Sequence, residues 1–431
     1  MSMGHFSGRA FRYVFFTAIT LSVLGCAVAM FVGDDGLSSP DPARRDSILS
    51  DPTDIASPTV ASRPDVGGVA GRRSAATDSA TLARDPVVES LLSSLSLRQR
   101  IGQRFIVPVP GQRITYGAGH AINEVSPAGF IIYPWNFSTA EDVRRLTSSL
   151  QLLAGLVTPG ISLLLCTDQE GGRVDTFRFD EFVRFPAAAE IGRLDNPDVI
   201  RSAAYITGTQ LLSLGINMNL APVLDVFESA DSSIIGDRSY GGDPWLVARY
   251  VEPYLEGARS AGIIATAKHF PGHGVTTVDS HHALPVVGTT REQLAERDLI
   301  PFATAIEAGV EVIMTGHILF ENVDPFYPAT LSSVFLNGIL RGELGYDGVI
   351  ITDGLEMRAI RDNYTLDETL TRLFKLDVDL ILLFSDYNVI QLVQRVERLV
   401  ASGAISTDDI DRGVRRVLRL KAEHGLAEAS R

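Results

Sequence analysis

Beyond about residue 86, apolar and polar positions settle into a repeating alternation. Short runs rich in Val, Ile, Leu and Phe recur at Phe105–Pro108, Gly129–Tyr133, Ser162–Thr167, Asn217–Leu220, Ile263–Ala267, Glu311–Thr315, Gly348–Thr352 and Asp379–Phe384. Most are apolar almost throughout rather than at every second position, as expected of strands buried on both faces. Between them lie longer stretches whose apolar residues return every three or four positions, among them Ala140–Leu153, Val199–Leu214, Trp245–Ser260, Arg291–Glu307 and Ser332–Leu344. Doubly buried strands that alternate with helices must run parallel and be joined by crossovers. Eight such units in one domain predict a single (β/α)8 TIM-type barrel over residues 86–431, in preference to a doubly wound sheet.

The pattern differs before residue 86. His5, Arg9 and Arg12 precede a stretch from Tyr13 to Val32 with no charged residue, and Asp34 and Asp35 follow. A cationic start, an apolar middle and an acidic exit predict that residues 1–32 are a signal or anchor segment that places the rest outside the cytoplasmic membrane. Val23-Leu24-Gly25-Cys26 resembles a bacterial lipoprotein processing site, which would make Cys26 the lipidated residue; an uncleaved anchor helix is the alternative. Residues 33–85 contain no aromatic side chain and are mostly Ser, Ala, Asp, Pro, Gly, Arg and Thr. Such a segment cannot bury enough apolar surface to offset its ordering entropy, so it reads as a disordered tether.

Charge and composition narrow the function. With 38 basic and 52 acidic residues the chain carries a net charge of −14, which disfavours nucleic-acid partners. Cys26 and Cys166 leave no room for a disulfide framework or a multi-cysteine zinc site.

Chemically capable residues gather just after the predicted strands. Asp168-Gln169-Glu170-Gly171-Gly172 follows the third, Asp225 the fourth, Lys268-His269 the fifth, His317 the sixth, Asp353 the seventh and Ser385-Asp386 the eighth. Barrel active sites form at that C-terminal rim, where side chains from different strands converge. Four of the eight histidines lie between His269 and His282. His269 and His273 have the spacing of a helical metal pair, but Pro271, Gly272 and Gly274 oppose a helix there, and Lys268 would repel a cation. No G-x-S-x-G elbow and no phosphate-cradling loop is present. A carboxylate (Asp353), an Asp-x-His pair (Asp279, His281) and cations near the rim are the equipment for retaining glycoside hydrolysis.

Lys268–Gly274 (K-H-F-P-G-H-G) with Asp279-Ser280-His281 resembles the signature of family-3 glycoside hydrolases, in the NagZ-type β-N-acetylhexosaminidase branch. Asp168–Arg173, Ala221–Asp225, Asp237–Tyr240 and Thr352–Met357 add to the resemblance, in order along the chain. The resemblance implies that Asp353 is the nucleophile and that His281 is the general acid/base, oriented by Asp279. It also implies that Asp168, Arg238, Lys268 and His269 bind the terminal sugar, without metal or organic cofactor. His282 is the rival for the acid/base role, and the family spacing selects His281. Lys268 and Arg238 are expected to keep Asp353 ionised.

The resulting expectation is a monomeric, membrane-tethered β-N-acetylglucosaminidase that removes GlcNAc from peptidoglycan fragments or chito-oligosaccharides. A β-glucosidase or β-xylosidase of the same family is the nearer alternative. That branch typically lacks the Asp-x-His pair and carries an added C-terminal domain, whereas only 78 residues follow Asp353 here. A catalytically silent glycan-binding lipoprotein and a phosphorylase are the more distant ones. Three positions depart from the family pattern: Val275 and Gly354 stand where many relatives carry Asp, and Thr176 where some carry Arg.

Overall fold

A computed structural model describes residues 85–113, 116–227, 234–276, 278–384 and 387–428. All of them belong to the unit Pro64–Arg431; Met1–Arg63 lies outside the described residues. The anchor segment, the tether up to residue 84 and Ser385-Asp386 are therefore also outside them. No described helix is long and apolar enough to cross a membrane.

The protein is an α/β fold with a nearly closed, barrel-like sheet of eight parallel strands, consistent with a (β/α)8 barrel. The strands are β1 Phe105–Pro108, β2 Gly129–Ile131, β3 Leu164–Thr167, β4 Met218–Asn219, β5 Ile264–Phe270, β6 Val312–Thr315, β7 Val349–Thr352 and β8 Ile381–Leu382. Neighbours in sequence pair in space from β1 through β7, and β8 pairs with β1. Hydrogen bonds also join the two ends of the sheet. The Leu380 N–H donates to the Ile350 carbonyl at 2.9 Å, and the Thr352 N–H to the Leu380 carbonyl at 3.0 Å.

Each strand faces two cores, and this explains its continuous apolar character. Ile106, Ile131, Leu164, Cys166, Val312 and Ile351 point into the interior of the sheet. Their neighbours Phe105, Phe130, Leu165, Ile313 and Ile350 pack outward against the helices. Alternate residues along a strand point to opposite faces, so covering both faces makes every position apolar.

The helices start where local chemistry allows. Thr139 and Ser406 form capping boxes with Asp142 and Asp409, and Asp243 caps a helix with Pro244 at its first position. The helix expected over Arg291–Glu307 is two, Arg291–Glu296 and Leu299–Glu307. Pro301 has no N–H to continue a single helix and fits instead in the first turn of the second one. Strand β5 runs three residues further than its apolar run, through Lys268 and His269 to Phe270. Polar residues can extend a buried strand when each finds a partner, as both do here.

Candidate active site

The loop after β3 turns back as a two-stranded hairpin, Gln169–Gly171 against Val174–Asp175. Its turn needs glycine: Gly172 has φ of 57°, and a Cβ there would meet the Ala187 Cβ at 2.7 Å. The hairpin sets Glu170 beneath two cations. Arg238 donates both Nε and Nη2 to the Glu170 carboxylate at 2.8 Å each, and Lys268 Nζ lies 2.6 Å from Glu170 Oε1 and 2.7 Å from Asp168 Oδ1. Burial alone would raise the pKa of Glu170, but the charges of Lys268 and Arg238 outweigh it and pull the value down to about 2. The Lys268 ammonium stays charged for the reciprocal reason: burial opposes it, while Asp168 and Glu170 hold the proton on.

Asp225, fully buried after β4, organises the next group. Its Oδ1 accepts the backbone N–H of His269 at 3.2 Å and of His273 at 2.6 Å, and its Oδ2 receives the His269 Nδ1 proton at 2.7 Å. This contact places the His269 proton on Nδ1 and keeps Nε2 clear of Asp225. His273 is buried within its loop. Its Nδ1 meets Thr276 Oγ1, which itself donates to the His273 carbonyl, so the imidazole proton sits on Nδ1 and Nε2 accepts from Ser280 Oγ at 3.3 Å. Burial, aided by His269, pushes the His273 imidazole down to about 4, so it is neutral near pH 7. His273 thus fastens the chain segment that carries Asp279 and His281 and is not itself placed as a proton donor.

Asp353 ends β7, with its N–H donating to the Thr315 carbonyl at 3.1 Å and its Oδ1 accepting from the Gly354 N–H at 2.7 Å. Burial opposes its ionisation, yet its pKa lies below the usual carboxylate value because His269, His317, the Gly354 N–H and His281 act on it. This corrects the sequence expectation for Lys268 and Arg238. Both cations are committed to Asp168 and Glu170, and imidazoles do the work at Asp353. His317 donates from Nε2 to the Gly354 carbonyl at 3.0 Å, and its buried Nδ1 has no hydrogen-bond partner. Burial also lowers the affinity of His317 for a proton.

His281 stands at the mouth, with Nδ1 2.7 Å and backbone N–H 2.9 Å from Asp279 Oδ1. Its side chain is 56% exposed, and its ring lies nearly parallel to Phe384 at 6.1 Å between centroids. His282 is exposed and bonds only through its backbone N–H, to the Asp279 carbonyl.

Glu170, one of the rim carboxylates, is the hub of the cationic cluster. The sequence reading missed two residues. Tyr133 and Phe384 sat inside apolar runs and counted only as strand formers. Tyr133 lines a cleft of about 600 Å3 together with Asp168, Thr176, Arg178 and Phe179. A larger cavity, about 780 Å3 beside Val287, Gln293 and Arg297, is lined by none of the candidate site residues. Gly354 is explained by its surroundings: a Cβ there would fall 2.1 Å from the Phe384 ring.

A buried ionised carboxylate facing a carboxylate-held histidine, beside a charged cluster suited to hydroxyl groups, places the protein among enzymes that cleave glycosidic bonds. Comparison with known proteins agrees. Residues 96–420 match the glycosyl hydrolase family 3 N-terminal domain. A β-hexosaminidase of Nitrosospira multiformis is 36% identical over 258 residues, 58% of this chain and 72% of that one. One from Idiomarina loihiensis is 30% identical over 327 residues, covering 72% and 96%. Among solved structures, a family-3 β-N-acetylglucosaminidase from Paenibacillus sp. has a TM-score of 0.74 at 40% identity, over 78% of this chain and 64% of that one. LpqI of M. tuberculosis gives 0.69 at 28% identity, over 78% and 96%. The chain is a glycoside hydrolase, and it belongs to glycoside hydrolase family 3, on the β-N-acetylhexosaminidase branch.

Proposed function

We propose that the chain is a retaining exo-β-N-acetylglucosaminidase acting on peptidoglycan fragments or chito-oligosaccharides, through a covalent glycosyl-enzyme on Asp353. The observation that carries this reading is the pairing of a buried, ionised Asp353 with a half-exposed His281 held at Nδ1 by Asp279. Asp353 Oδ1 is engaged by the Gly354 N–H, so Oδ2 attacks the anomeric carbon. As the glycosidic bond breaks, His281 Nε2 gives its proton to the departing oxygen. In the second half-reaction the same nitrogen takes a proton from the water that displaces Asp353. Asp279 keeps the imidazole in one tautomer and stabilises its charged form, the holding role of a carboxylate behind a histidine. Asp168 and Lys268 hold the terminal sugar, with Arg238 positioning them through Glu170.

The apolar segment from Tyr13 to Val32 and the Gly25-Cys26 pair support a place outside the cytoplasmic membrane, tethered by the N-terminal residues. The test is turnover of aryl β-GlcNAc against aryl β-glucoside, followed by NMR of the first-formed anomer. GlcNAc release with retained configuration is expected, and Asp353→Ala removes it. Inversion, or full activity of Asp353→Ala, refutes the mechanism.

A further inference from the structure

Four rings form a ladder that includes the acid/base histidine. His281 stacks on Phe384 at 6.1 Å, Phe384 is tilted against Tyr133 at 6.2 Å, and Tyr133 stacks on Trp135 at 4.3 Å with planes 24° apart. The adjacent Tyr133 and Trp135 differ sharply in their access to water. The Tyr133 hydroxyl is buried without a hydrogen-bond partner, and Asp168, Asp353 and Glu356 are among the charged groups that bear on it. Trp135 is 57% exposed.

Large exposed rings are normally mobile, but this one stands on a braced turn. Residues Pro134–Asn136 form a single 3₁₀ turn. The fully buried Asn136 accepts the Tyr133 N–H at 2.8 Å and donates to the carbonyls of Val109 and Gly111, each at 2.8 Å. The turn therefore holds an indole face in water at the edge of the cleft lined by Tyr133, Pro134 and Asp168. A rigid, solvent-facing aromatic next to a polar cleft suits a ligand with one apolar face and a polar rim, as a pyranose ring has.

Resting on the exo-glycosidase reading above, we infer that Trp135, backed by Tyr133, is the stacking platform for the sugar on the leaving-group side of the bond being cut. Burial sets the side. The terminal sugar is held deep, by Asp168 and the buried Lys268, under the buried Tyr133 hydroxyl. An exo-acting enzyme leaves the rest of its substrate towards solvent, which is where the exposed Trp135 indole stands. Trp135 thus selects for oligosaccharides over glycosides with small aglycones and takes no part in the bond-breaking step.

The experiment compares kcat/KM for chitotriose and for methyl β-GlcNAc, whose aglycone is too small to cover the indole. In Trp135→Ala the ratio of the two falls about tenfold, chiefly through KM for chitotriose. Trp135→Phe restores most of it. An unchanged ratio, whether both substrates slow together or neither does, overturns the platform. Wild-type protein that releases no GlcNAc from any substrate overturns the exo-glycosidase reading and this inference with it. Wild-type turnover with an unchanged ratio in Trp135→Ala overturns this inference alone.

Discussion

Glu170 offers the most quantitative prediction. Its carboxylate is shared between Lys268 and Arg238 with little solvent contact, the side chain being 6% exposed. The structure moves its pKa from 4.5 to about 2. That displacement means the folded protein prefers the ionised over the neutral form by about 3 kcal/mol more than the unfolded chain does. Glu170→Gln imitates the neutral form at nearly constant volume, so about 3 kcal/mol of stability is lost at pH 7, or about 4 °C in Tm for a body of this size. A folded value below the unfolded one gives stability that is complete above pH 4.5 and fades as pH falls towards 2. Urea titrations of wild type and variant at pH 7, 5, 4 and 3 should therefore show a gap that is constant down to about pH 5 and narrows below it. In parallel, Arg238 loses its carboxylate partner and KM rises. A gap under about 1 kcal/mol at pH 7, or one that does not narrow in acid, would refute the argument that Glu170 is the electrostatic hub.

Two further outcomes follow from single buried groups. Tyr133→Phe removes a hydroxyl with no partner among the described residues, so stability should stay level or rise, within about 0.5 kcal/mol. Turnover of every GlcNAc substrate should fall at least about fivefold, and unaltered kinetics would show that the hydroxyl does not meet the sugar. Lys421 is fully buried with Gln103 Oε1 at 2.8 Å, and burial lowers its pKa to about 7. Its charge is thus a burden on the fold below pH 7 that lifts as pH rises towards 10.5, and Lys421→Met should stabilise the protein by about 1–3 kcal/mol at pH 6, with the gain shrinking at pH 10. Urea unfolding at the two pH values checks it, and a gain that grows with pH contradicts it.

The eight strands were legible because each is covered on both faces, which writes an uninterrupted apolar run into the sequence. Their ends were less so. At Lys268-His269 the strand continues through charged residues whose partners, Asp168, Glu170 and Asp225, are 43 or more positions away in sequence. No local pattern carries that information. The site shows the same division. Residues in dense motifs, such as His269, Asp279, His281 and Asp353, could be singled out from their neighbours. Arg238 could be singled out too, but its bidentate grip on Glu170, which commits it there rather than to Asp353, depended on the hairpin after β3. Tyr133 and Phe384 escaped notice because an aromatic residue at a strand end has the same composition whether it fills a core or faces a ligand.

Gly354 and Phe384 constrain each other. The ring occupies the volume a side chain at 354 would need, and the same ring lies against His281. The two positions therefore form one unit of variation. Placing an aspartate at 354 without shrinking residue 384 would displace the surface on which the His281 imidazole rests, whereas exchanging both together would trade an aromatic backing for a second carboxylate beside Asp353. A graft of this rim onto another barrel should carry Gly354 wherever it carries Phe384, since the ring leaves no room for a side chain at 354.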